Sequence, residues 1–313
     1  MTIKTQSFVA VIAALLLGTG LLPGPPVVAV AQQLAAAGDD DARALKHAAL
    51  EALMHAPPER ALSLVIRTLE RSDDEELKER ALFILSQIDL PQARDHLLQV
   101  ALQGNTPRLR REAIRSIGIG GDSAALERLV DVYRGGNEDT REAVLRAFLI
   151  ADEEQFVLQI ARAASDDDEF DAAVRVLGAM GAVDALATLR DRATTSAGLI
   201  QAYAVANDLD SLEALLAANS DPDLQRRIMR AMGIVGGSKV GQILAQQYRT
   251  STDEDVRHAA LQGLLVAGDD KTVIELFRWT SSDAQKRDLL RLLVNMGSDE
   301  ALDLIDSTLS EDD

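Results

Sequence analysis

The stretch TPRLRREAIRSIGIGG runs from Thr106 to Gly121, and DPDLQRRIMRAMGIVG runs from Asp221 to Gly236. Of the 16 aligned positions 7 are identical, among them Pro107/Pro222, Leu109/Leu224, Arg115/Arg230 and Gly118/Gly233. A chain that writes nearly the same line twice, 115 residues apart, is built from a repeated unit.

With Ile114 and Met229 as anchors, the same pattern recurs at Leu50, Leu82, Leu145, Val174, Ile200, Leu261 and Leu290. Successive spacings are 32, 32, 31, 29, 26, 29, 32 and 29 residues, so the two similar lines are copies three and seven of nine. In each copy a first helix carries apolar residues at the anchor, one before it and three after, as in Ala81, Leu82 and Leu85 or Ala260, Leu261 and Leu264. Together with Leu77 or Val256 these form one face of a 3.6-residue period. A break rich in Gly or Asp follows, such as Gly120-Gly121-Asp122 or Gly268-Asp269-Asp270, and then a second amphipathic helix. Neither helix buries its face alone, whereas stacked pairs share one core. The predicted fold is all-α: an α-solenoid of about nine stacked helix pairs, a superhelix over residues 42–310 with a short acidic tail at 311–313. Glycines 118, 178 and 233, four after their anchors, are predicted to let helices approach closely, at a cost of roughly 0.5–1 kcal/mol in helix propensity.

Composition agrees. Hydrophobic residues make up 47% of the chain, enough for a core, while aromatics are only 3%, so the core is built from small aliphatic side chains. The formal charge of −18 repels phosphate backbones and argues against nucleic acid as a partner. The absence of cysteine excludes disulfides, thiolate-held zinc and thiol catalysis. No cofactor is expected.

The N-terminus reads as an export signal. Lys4 is the only charge before position 39, Phe8 to Leu17 is apolar, and Ala29-Val30-Ala31 supplies a small-residue cleavage motif ahead of Gln32. Residues 1–31 are therefore predicted to be a signal peptide and 32–41 a disordered linker. The expected location is the periplasm or the medium, without stable membrane insertion after cleavage. Pro23, Pro25 and Pro26 argue against one continuous spanning helix.

The line DEDVRHAALQGLLVAGDD, from Asp253, resembles the HEAT repeat, most nearly its short phycobilisome-lyase HEAT-like form. The shared pattern is an Asp, an apolar-Arg pair two residues on, Ala-Ala-x-x-Leu, and a closing Gly or Asp. Copies at 106 and 221 match it well and those at 74, 138 and 168 fairly well. The sixth is shortest, and TTSAG from Thr194 replaces its acidic start, which implies a local departure near 194–220. The resemblance implies an architecture whose second helices line the concave side. It implies no activity, because no catalytic residue of the bilin lyases in that family maps onto this chain.

Recurrent slots carry the candidate chemistry. A basic residue stands four before the anchor at Lys46, Lys78, Arg110, Arg141, Arg257 and Lys286, near the core side. The structural account is a ladder reaching back to carbonyls or an acidic turn, with Asp139 and Asp255 as N-caps; the functional account is an anion-binding line. One after the anchor, Arg115, Arg146, Arg175, Arg230 and Arg291 fall on the solvent side, where Glu142–Arg146 and Asp171–Arg175 make acid-first pairs. Tyr133 and Tyr248 share a slot nineteen after their anchors, with Trp279 one position off it. These three either complete the core with a polar rim or form a partner contact. Acids cluster in turns at 73–76, 166–169 and 253–255, as caps or as a ridge for a basic partner, with Asp166, Asp167 and Asp168 the test positions. The histidines at 47, 55, 96 and 258 show no metal-ligand spacing, and no nucleophile or phosphate-loop motif is present. The expected role is binding of a protein or peptide as a scaffold rather than catalysis. The alternative is an enzyme or lyase-like chaperone that uses a cavity in the solenoid.

Overall fold

The computed structural model describes residues 41–192, 196–297 and 299–310. Among these every regular element is helical, and eighteen helices follow one another in nine pairs. The first pair is α1 (residues 41–52) and α2 (Pro58–Arg71), the second α3 (Glu75–Ser86) and α4 (Pro91–Gln103), the third α5 (Pro107–Gly120) and α6 (Ser123–Gly135). Next come α7 (Glu138–Ala151) with α8 (Glu154–Ala163), α9 (Asp167–Met180) with α10 (Val183–Ala187), and α11 (Ala197–Val205) with α12 (Leu209–Ala218). The last three pairs are α13 (Pro222–Val235) with α14 (Gly237–Thr250), α15 (Glu254–Ala267) with α16 (Asp270–Trp279), and α17 (Asp283–Met296) with α18 (Asp299–Ser310). This is an all-α solenoid. It divides into two compact units, one through Ser116 and one from Ile117. The predicted signal peptide, nearly all of the predicted linker and the acidic tail lie outside the described residues; Asp41 already belongs to α1.

Every anchor but one is buried, from Leu50 to Leu261. Leu290, in the last described pair, is half-buried. Side chains of second helices, such as Leu126 and Leu129 of α6 or Leu244 of α14, complete the core. Burying one such leucine contributes about 1.5–3 kcal/mol.

Acidic turns start the helices. Asp74 accepts from the backbone N–H of Glu76 and Leu77, Asp166 from that of Glu169, and Asp253 from those of Asp255 and Val256. The caps sit two residues earlier than the sequence predicted: Asn137 and Asp253 cap α7 and α15, leaving Asp139 and Asp255 in the first turn. There their charge still faces the positive end of the helix dipole.

The basic ladder is structural in two of its rungs. Arg110 Nη1 donates to the carbonyl of Gly104 at 2.9 Å, and Arg257 Nη1 to that of Ser251 at 3.1 Å. Gln225, in the same slot, donates to Asn219 O at 2.7 Å. Gly104, Asn219 and Ser251 are the C-caps of α4, α12 and α14, so each donor satisfies a carbonyl that the preceding helix leaves open.

The departure from regularity begins in repeat five. α10 spans five residues before a tight turn at Arg190–Arg192, and the buried Tyr203 of α11 donates its hydroxyl to Leu186 O at 3.2 Å. Ser196 caps α11 and donates to Asp171 at 2.6 Å. Asp171 is thus held by the next repeat rather than by Arg175, as the sequence had predicted.

Candidate interaction face on the first helices

How closely two first helices approach depends on one pair of slots. A Cβ built on Gly118 would stand 2.7 Å from Ala147 O, on Gly178 2.9 Å from Ala202 Cα, and on Gly233 2.5 Å from Gly263 O. In all three a glycine four after its anchor sits on a small residue two after the next anchor. Between α7 and α9 those slots hold Leu149 and Val176 instead, and there the helices part around a groove of about 910 Å³ whose floor includes both side chains. This groove and a second one, between α13 and α15, both lie along the row of first helices.

Three of the candidate partner-contact residues line this groove, Tyr133, Asp166 and Asp168, together with Arg141, Arg146 and Arg175 of the basic slots. Its polar groups are mostly engaged. Glu169 accepts from the N–H and hydroxyl of Ser165 at 2.9 and 3.1 Å, while its own N–H donates to the cap Asp166. Arg146 pairs with Glu142 at 2.5 Å, and Arg141 lies over the Tyr133 ring at 5.5 Å, with Glu169 3.9 Å from its Nη1. Burial first, then the Glu169 charge, pushes the Tyr133 phenol up to about 12. Glu138, Asp168 and Arg175 line the groove with no polar partner among the described residues.

Of the two roles the sequence allowed the tyrosines, core or contact, their burial fits the first. Tyr133 and Tyr248 are buried and complete the core, each ring on the apolar stripe of its second helix. Burial likewise raises the Tyr248 phenol. Trp279 is 52% exposed, with the Arg249 guanidinium 5.7 Å from its ring centre, but it lies on α16, apart from the groove. Asp167 faces solvent 3.5 Å from Arg192, which in turn stacks 3.8 Å over Phe170.

A column of aliphatic side chains was missed from sequence. Five after the anchor, at the solvent side of the first helices, stand Ile150 (45% exposed), Val205 (52%), Ile234 (46%) and Val266 (51%). Single exposed aliphatics are ordinary, but four in one register slot form a row. One turn earlier each has Arg146, Gln201, Arg230 or Gln262. The signal was present in the sequence as a fixed offset from the anchors, hidden because these residues extend the helix's apolar face past the part that packs.

His47 of α1 lies with Asp74 and Glu76, their ligand atoms within 4.8 Å of one another. Arg43 already occupies that position. Its Nε stands 2.6 Å from Asp74 and its Nη2 3.5 Å from Glu76, and it holds the Asp74 carboxyl down at about 2. The Asp74 oxygens also accept two cap bonds, so the cluster is an ion pair closing repeat one on repeat two.

A family model for HEAT repeats matches residues 62–149, from within α2 to within α7. That stretch is similar to HEAT repeats. Among solved structures, the complex of CpcE and CpcF of phycocyanin lyase from Nostoc sp. PCC7120 is similar at 20% identity and a TM-score of 0.32, covering 80% of this chain and 92% of that one. A likeness that distant carries no argument about activity. No curated protein matches the chain.

Proposed function

We propose that this protein is an exported scaffold that binds a protein partner along its row of first helices, and that it is not an enzyme. The observation that carries the proposal is the register-locked aliphatic row Ile150, Val205, Ile234 and Val266, each about half exposed beside an Arg or Gln. Apolar patches edged by polar groups characterise protein interfaces. Most carboxylates in the wide groove are committed to caps and ion pairs, which leaves little for proton transfer. Export is supported by Lys4, the apolar run from Phe8 and Ala29-Val30-Ala31. No described helix is long and apolar enough to cross a membrane.

The experiment places a photo-reactive amino acid at Ile234 or at Trp279 and cross-links in the producing cell. The expected result is a discrete adduct from Ile234 and none from Trp279, on a protein whose N-terminus is Gln32. Adducts from Trp279 alone would move the interface to the second helices. Retention of Met1 in a membrane fraction would overturn export.

A further inference from the structure

The groove between α13 and α15, of about 470 Å³, carries a charge pattern opposite to that of α7 and α9. In α7 and α9 the slot three before the anchor is acidic, Glu142 and Asp171, and the next slot is Ala143 or Ala172. In α13 both slots are arginine, Arg226 and Arg227. Where α7 sets Glu142 against Arg146 one turn on, α13 therefore sets Arg226 against Arg230, a like-charge pair at i,i+4 that an isolated helix disfavours. Arg226 is neutralised by Asp223 and by Asp255, the latter at 3.9 Å. Arg227 and Arg230 are exposed and have no acidic partner among the described residues. Across the groove Gln262 and His258 add polar groups, their side-chain nitrogens 3.5 Å apart. One turn beyond Arg230 and Gln262 lie the exposed Ile234 and Val266.

We propose that this groove binds an acidic–aliphatic peptide segment of a protein partner, with side-chain carboxylates on Arg227 and Arg230 and an aliphatic residue against Ile234 and Val266. The proposal rests on the first-helix row being the interaction face. Charge complementarity selects the occupant. Two guanidiniums one turn apart with no acidic partner among the described residues leave this groove locally basic in a chain of net charge −18, and the planar fork of arginine matches carboxylate geometry. The flanking aliphatics favour a peptide over a free anion, which offers them nothing to bury. At physiological salt, screening over about 8 Å lets these near groups act against the distant acidic excess.

The test uses the full mature chain and a labelled peptide of Glu and Leu residues, followed by fluorescence anisotropy, with the Lys-for-Glu peptide as its counterpart. The Glu peptide is expected to bind and the Lys peptide to show no competition. R227Q/R230Q should weaken binding about tenfold, as two exposed charge pairs of ordinary strength would. Arg291→Gln should leave it unchanged, and Ile234→Ser should weaken it a further few fold. The double variant removes like-charge repulsion, so its thermal midpoint should match or exceed that of the parent, which separates lost binding from lost folding. Equal affinity for the double variant would overturn the proposal. So would displacement of the peptide by inorganic phosphate together with indifference to Ile234→Ser, the behaviour of a free-anion site. Peptide binding without a cellular adduct at Ile234 would sink the scaffold reading while leaving the groove chemistry standing. An adduct without peptide binding would do the reverse.

Discussion

At the scale of single residues, one methyl group decides how near two repeats can come. Gly233→Ala places a Cβ 2.5 Å from Gly263 O, so backbone must move, and we expect a loss of about 1–3 kcal/mol, read from the urea midpoint. Gly135→Ala meets nothing within 4 Å and should be neutral to mildly stabilising, by up to about 1 kcal/mol. If both cost the same, the close-approach account fails. The glycine column was legible because a helix-interior glycine needs a reason and this one recurs. The tyrosines were only half legible: the spacing placed both rings on an apolar stripe, but whether each hydroxyl reached a rim depended on its neighbours. Their titration gives a pH signature. Tyr133 and Tyr203 hold their protons to about 12, and Tyr248 is raised too, against an unfolded value near 10. Above pH ~10 the folded chain binds more protons than the unfolded one, so stability falls as pH rises through the window from ~10 to 12. A tyrosinate absorbance titration should show ionisation coinciding with loss of helix. Asp74 works with the opposite sign: held at about 2, its contribution is present above pH ~4 and vanishes as pH falls through the folded value. Arg43→Gln should return the Asp74 carboxyl toward the ordinary range, measurable by NMR titration.

Helices and turns show a different balance. The amphipathic period, the Gly/Asp breaks and the acidic starts were all readable, because each follows from local chemistry that tertiary context does not reverse. Cap positions shifted by two residues because Asn137 and Asp253 compete with Asp139 and Asp255 for the same role, and the chain uses the residue with extended backbone. Asp253→Ala should cost about 1 kcal/mol, whereas Asp255→Ala, which caps nothing, should cost a few tenths. A reversed order in thermal melts would put the cap where the sequence first suggested it. The brevity of α10 was not readable. Val183 to Leu189 carries a serviceable helical pattern, but the Leu186 carbonyl accepts from the Tyr203 hydroxyl of another helix and from the Leu189 N–H in a tighter turn. In the wide groove Leu149 and Val176 stand where the junctions at Gly118–Ala147, Gly178–Ala202 and Gly233–Gly263 carry only small residues. It becomes visible only once the slots are known to face one another.

For the molecule as a whole, interactions run mainly from one pair to the next, as the side-chain bonds at sequence separations of 29 and 31 residues illustrate. Truncation after Ser251, which removes α15 to α18, should therefore leave the earlier helices folded, with helical circular dichroism reduced roughly in proportion. Loss of all helical signal would contradict a nearest-neighbour architecture. The acidic excess sits on turns where caps account for Asp74, Asp166 and Asp253. Replacing Asp166, Asp167 and Asp168 by Asn should leave stability nearly intact, since Asn caps as well as Asp. Any fall in partner affinity in that variant, with a flatter salt dependence, would then assign the ridge a role beyond capping.

The glycine seat has a genetic consequence. Because a small residue four after one anchor meets a small residue two after the next, the junctions at Gly118–Ala147, Gly178–Ala202 and Gly233–Gly263 are built to one plan. Recombination between two such copies joins half of one to half of another and still yields a seat that closes. A gene of this kind can lengthen or shorten by whole units without inventing a new joint.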